Sequence, residues 1–355
     1  PREKLEYRLA NDPEARQLLF DWSMVEYVER YFRDERLQFA YLGQGVIGTN
    51  ASPHDPGTAS IHFHHASGRL GGLPGTWGYV EGGMGMVSEA LAGAAREAGA
   101  VIAKATPVAA IEENAVVLED GTRLRTQVVV SNADPLTTLG LCGGIAPQDF
   151  GEQVASWRME GPVIKLNCAM RRLPAFTAAR QDEHPERAMV TIARSIDETQ
   201  AAYERSRRGV PSPAWAELYF QSAYDPTVAP PGRHVMSVFA QYAPYRLVEP
   251  SWDDMRELVA DAIVEQIERF APDIADCIEH RQVLAPPDIE REVGLRGGHI
   301  FQGECLPDQM WSRRFSPRTT IPFVYMCGAA THPGGSVIAA NGRNAAMAVL
   351  ADLRG

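Results

Sequence analysis

Thr331–Ala346 reads THPGGSVIAANGRNAA. Gly334 and Gly335 stand ahead of small and apolar residues that can continue as a helix, and the apolar run FVYMCG at 323–328 comes before them. A strand, a glycine loop and a helix starting near Ser336 would aim unpaired backbone N–H groups and the positive end of a helix at an anionic or electron-rich atom. A pyrophosphate or a reduced flavin is such a ligand. An ordinary βα connection that needs glycine for its turn has the same spacing, so spacing alone leaves both readings open.

Working outward, the same grammar occurs in a second, separated block. GGMGMVSEALAGAAREAGA at 82–100 predicts a helix with Met86, Val87, Ala90, Leu91 and Ala94 on one side, stopped by Gly99 in a left-handed cap. A strand is expected at Val101–Ala105, a hairpin turning at Asp120-Gly121, and a buried strand in QVVVSNADP at 127–135. Gly83-Met84-Gly85-Met86-Val87-Ser88 imitates a dinucleotide fingerprint. It lacks the third glycine, no buried strand precedes it, and Lys104 stands where a ribose-binding acid would be needed.

The rest of the chain reads differently. Leu18, Leu19, Trp22, Val25 and Val28 recur at helical spacing, so the chain opens on helices and not on a nucleotide-binding βαβ unit. Residues 51–75 are rich in Pro, Gly, Ser and His and read as a loop passage. From 141 to 287, alternating stretches such as HVMSVFAQY and WAELYFQ predict strands. The segment 251–272 predicts a helix capped by Ser251 and stopped before Pro272.

Composition excludes several classes. With 34 basic and 45 acidic side chains the net charge is −11, and no basic tract suited to nucleic acid is visible. The five cysteines are odd in number and widely spaced, which argues against a disulfide framework, a zinc site or a redox pair. No apolar run reaches the ~20 residues of a bilayer-spanning helix, and the charged start lacks a signal-peptide core. A soluble, cytoplasmic protein is expected, with peripheral membrane contact left open.

Five stretches taken together resemble the phytoene-desaturase-like FAD-dependent oxidoreductases. They are FAYLGQGVIGT (39–49), PGTWGYVEGGMGMVSEAL (74–91), VVVSNADPLTTL (128–139), GGHIFQGE (297–304) with Asp308-Gln309, and VYMCGAATHPGGSVIAANGRNAA (324–346). The nearest branch is the one called pyridine nucleotide-disulfide oxidoreductase domain-containing protein 2, with its bacterial relatives. The resemblance implies a mixed α/β and α+β fold of the amine oxidase or GDP-dissociation-inhibitor kind. In it an incomplete FAD/NAD(P)-binding domain (residues 73–140 and 288–355) is interleaved with a substrate domain, helical over residues 1–72 and α+β over residues 141–287. It also implies FAD as cofactor and hydride removal from a largely apolar small-molecule substrate. The N-terminal fingerprint unit that holds the ADP half of FAD in this family is not in this sequence. The resemblance therefore implies an N-terminally truncated chain that binds FAD poorly and is inactive alone.

Carried over by position, the resemblance places Gly328 and Ala329 by the diphosphate and ribityl chain. It places Ser336, Val337 and Ile338, beyond Gly334 and Gly335, at the flavin N1–C2=O edge, and the Val108 backbone at adenine. Val108 reads first as a core valine at a strand start. His332 suggests a general base, and Glu304 is the second candidate, each with a structural role as its alternative. His62, His64 and His65 lack a nearby acidic or cysteine partner, so no metal is assigned. Two other functions stay in view. One is a non-catalytic lipid- or prenyl-binding protein on the same fold, as in Rab GDP-dissociation inhibitors. The other is nicotinamide and redox-disulfide chemistry, against which the cysteine spacing weighs.

Overall fold

In a computed structural model of the chain, residues 2–180 and 183–354 are described. The chain forms two compact units. One contains Pro1–Gln17, Ala103–Glu160 and Gly294–Gly355; the other contains Leu18–Ile102 and Gly161–Val293.

The second unit is built on the alternating stretches, which form one antiparallel sheet. Its spatial order is Ile278–Leu284, Val163–Met170, His234–Gln241, Trp215–Tyr219, Val190–Ala193. A period of two sends Ile164, Leu166, Cys168, Leu218, Met236 and Val238 to one face, where they are buried with Val259, Ile263 and Ile267 of helix Trp252–Glu268. Each such side chain stabilises the unit by about 1.5–3 kcal/mol. Ser251 sits at the predicted N-cap, but its hydroxyl donates to Asp254 at 2.8 Å and caps no backbone N–H.

The predicted opening helices are present. Helix Met24–Tyr31 starts with a capping box, Ser23 and Glu26 each accepting from the other's backbone. Asp288, 1 % exposed, accepts from Arg256, Arg291 and the Ala285 N–H and anchors helix Pro286–Val293.

Two expectations are corrected in this unit. Residues 51–75 contain helix Ala59–Ala66, because Ala59, Ser60, Ile61 and His65 find buried contacts that outweigh the loop-like composition around them. His62, His64 and His65 therefore share a helix, where alternate residues do not share a face. No strand forms at 101–105, where Val101 is 95 % exposed and has no ladder to join. Helix Gly85–Glu97 precedes it and Gly99 (φ 91°) ends it, although Met86 and Leu91 on its apolar side remain exposed.

The first unit has a three-stranded antiparallel sheet, Val108–Glu112, Ala115–Leu118 and Arg123–Arg125, with the predicted turn at Gly121 (φ 85°). A separate parallel pair joins Val129–Ser131 to Val324–Met326. Ile111, Phe150, Val154, Phe315, Val324 and Met326 form its core. All five cysteines are free thiols. Among the described residues, no helix is long and apolar enough to cross a membrane.

Candidate functional site

The glycine loop leaves the parallel pair where the two strands end together. Cys327 donates its N–H to Ser131 O at 2.9 Å, and Gly328 follows. A Cβ on Gly328 would lie 2.4 Å from Gln302 Oε1 and 2.9 Å from Asn132 O, so only glycine fits. Gln302 sits in the left-handed region (φ 52°); its Oε1 accepts from the Ala330 N–H at 3.3 Å and its Nε2 donates to Asn132 O at 3.4 Å. The Gly328 carbonyl accepts from the Thr331 N–H and hydroxyl and from Asn341 Nδ2. Gly335 packs against Phe301, whose ring carbon would be 2.9 Å from an added Cβ. Glycine at 328 and 335 is thus explained first by close packing within the protein.

The expected helix start is corrected. Helix Ala340–Asp352 begins four residues after Ser336, and the residues between adopt other conformations: Ser336 (φ 126°), Val337 (φ 54°) and Ala339 (φ 54°). Left-handed backbone at a β-branched valine costs on the order of 1–3 kcal/mol and persists only where its surroundings impose it. Ser336–Ile338 therefore present loop amides, not the first turn of a helix, and Val337 is 75 % exposed. Among the described residues, the N–H groups of Gly328, Ala329, Val337 and Ile338 have no acceptor. Unpaired donors in a glycine-rich loop that includes left-handed positions suit an anionic or acceptor-rich ligand, so the residues present fit the cofactor that the sequence suggests.

A buried polar cluster holds the neighbouring FQGE stretch. Arg314, 4 % exposed, donates to the carbonyls of Phe301 at 3.3 Å and Gly303 at 3.2 Å and lies over the Trp157 ring. Trp157 Nε1 in turn donates to Gln302 O at 2.8 Å. Glu304 is 4 % exposed, with Oε1 3.8 Å from Nε2 of the fully buried His299. His332 lies in the glycine loop, its N–H donating to Phe315 O, and its buried Nδ1 has no hydrogen-bond partner. Burial, aided by the Arg314 charge, pushes the imidazole below its usual pKa and keeps it neutral near pH 7. Val108 is 38 % exposed at the start of its strand, where a register shift precedes Ala110, so its reading as a core valine is corrected.

In the second unit, the sheet face opposite the buried core was not singled out from the sequence. One cross-strand row runs Leu284, Lys165, Phe239, Glu217, Thr191. Glu217 is 4 % exposed and accepts from Gln44 Nε2 at 2.5 Å and from the Tyr219 hydroxyl. Burial pushes the Glu217 carboxyl up against the pull of those two donors. The signal was present in GPVIKLNCAM, where alternation puts Lys165 and Asn167 on the face that the apolar residues leave.

No family model matches the chain. Over 352 residues it is 36 % identical to pyridine nucleotide-disulfide oxidoreductase domain-containing protein 2 of Rattus norvegicus, covering 92 % of this chain and 60 % of that protein. It is 24 % identical over 310 residues to the phytoene desaturase (lycopene-forming) of a Paracoccus species, covering 83 % and 59 %. An oxidoreductase structure from Methanosarcina mazei superposes with a TM-score of 0.60 at 15 % identity, over 98 % of this chain and 72 % of that one. The fold is that of the FAD-dependent, amine-oxidase-like oxidoreductases. Within that class the chain belongs to the phytoene-desaturase-like family, in the branch of pyridine nucleotide-disulfide oxidoreductase domain-containing protein 2, and it spans about 60 % of the rat relative's length.

Proposed function

We propose that the chain carries the flavin-side loop and the substrate wall of an FAD-dependent dehydrogenase or desaturase acting on a largely apolar substrate. The observation that carries this is the set of N–H groups at Gly328, Ala329, Val337 and Ile338 without acceptors among the described residues. A bound flavin supplies a two-electron acceptor for hydride. Gly328 and Ala329 would donate to its diphosphate and ribityl part, Gly334 and Gly335 shape the turn, Val337 and Ile338, beyond Ser336, would donate to its ring edge, and the Val108 backbone would serve the adenine. His332, neutral and with an unpaired Nδ1, is the better placed of the two proton-accepting candidates; Glu304 is enclosed beside His299. The Paracoccus relative, named a phytoene desaturase, supports an apolar substrate.

Amide hydrogen exchange of the chain with and without FAD tests this reading. Exchange at the four N–H groups is expected to slow at least about five-fold, as new hydrogen bonds to a bound ligand require. Unchanged exchange there at saturating FAD would remove the flavin-side assignment.

A further inference from the structure

One face of the five-stranded sheet carries a charge with nothing to balance it. Lys165, Asn167 and Ala169 alternate along one strand, Ser237 and Phe239 lie on the next, and Glu217 and Tyr219 on the third, all opposite the buried core. Glu217 and Lys165 belong to one row but flank Phe239, about 10 Å apart by two strand spacings. The Glu217 oxygens are taken by Gln44 and Tyr219, and burial favours the neutral form of the carboxyl. Lys165 has neither a hydrogen-bond nor an ion-pair partner among the described residues, and its burial pushes the ammonium below its usual pKa. A half-buried ammonium in that position gains most from an anion brought to it.

The same strand leads from Lys165 to a cavity of about 320 Å³ lined by Asn167, Ala169, Tyr219, Val235, Met236 and Ser237, among others. Its volume lies at the lower end of the range for small-molecule sites. From Lys165 to Ala169 the strand advances about 13 Å, the length of a medium-chain acyl group. A charge at one end, Phe239 beside it and a mostly apolar hollow at the other describe an amphipathic ligand.

We propose that this face binds a substrate with one acidic headgroup, a carboxylate or a phosphate, paired to Lys165, and an apolar body running past Phe239 into the cavity at Ala169 and Val235. The proposal rests on the proposed function, takes this face as its substrate wall, and narrows "largely apolar" to an apolar acid. Glu217, in the same row beyond Phe239, has its oxygens occupied by Gln44 and Tyr219, which leaves Lys165 as the charge facing the headgroup.

Binding of dodecanoate, dodecyl phosphate and dodecanol to the intact chain, followed by calorimetry without flavin, tests the proposal. At least one acid is expected to bind about ten-fold or more tighter than the alcohol, and the tighter one identifies the headgroup. The preference is expected to vanish in Lys165→Met and to survive in Lys165→Arg, which retains the charge. Equal affinity for all three ligands, or an undiminished preference in Lys165→Met, overturns it. Because no flavin is present, acid selectivity without any FAD-dependent amide protection would count against the proposed function alone.

Discussion

The glycine loop of the first unit and the open sheet face of the second are built from opposite materials. The loop offers backbone: its donors are peptide N–H groups, and its shape depends on positions where a Cβ collides or φ is positive. The sheet face offers side chains: Lys165, Glu217 and Tyr219 stand on a regular ladder whose backbone is already paired. A backbone site is therefore sensitive to the addition of one carbon, and a side-chain site to a change of charge at constant volume.

Acid is expected to act most strongly, and on the second unit. His65, 7 % exposed on helix Ala59–Ala66, is pushed down to a pKa of about 4, chiefly by burial. Its unfolded form takes up a proton below about pH 6.5 while the folded form resists until about pH 4, so stability contributed at neutral pH is lost as pH falls through that window. The loss amounts to about 3 kcal/mol. Urea unfolding at pH 7.5 and at pH 4, for wild type and His65→Phe, measures it, and an equal acid penalty in both proteins would remove His65 as the cause.

The next effect separates the two sites. Gly328→Ala is expected to cost about 2 kcal/mol, since the new methyl meets Gln302 Oε1 and the Asn132 carbonyl, the latter fixed by the strand end. Thermal unfolding reads this directly. A neutral Gly328→Ala would mean that the loop has slack, and the contrast between backbone and side-chain sites would lose its basis. The smallest effect is expected at Lys165→Met, which removes a charge lacking a partner; it should leave stability within about 0.5 kcal/mol or raise it slightly. A loss of several kcal/mol there would show that Lys165 holds the fold together.

Much of the scaffold was legible because periodicity is a local property. The strands at 215–219 and 234–241, the helix at 252–268 and the Asp120-Gly121 turn follow from alternation, helical spacing and turn chemistry. Helix Ala59–Ala66 was not, since its flanks carry loop residues and its stability comes from buried contacts distant in sequence, such as the Thr58 hydroxyl accepting from the Met24 N–H at 2.8 Å. The strand expected at 101–105 failed for the converse reason, a β-prone run with no neighbour to pair with. At the candidate site, the glycines announced a loop but not why they are needed. Gln302, which fills the space a side chain at 328 would take, lies 26 positions away, and nothing in the GGHIFQGE stretch that holds it announces that contact.

By itself, then, the sequence determined the strongly periodic strands and helices, the Asp120-Gly121 turn and the family, because each rests on residue order and local spacing. Only the tertiary structure decided that Ser336–Ala339 is loop, left-handed at Val337 and Ala339, and not helix, and that among the described residues four of the loop N–H groups lack acceptors and Lys165 lacks a counter-ion. Those properties depend on which distant groups come within reach of a donor or a charge, and no local pattern encodes that distance.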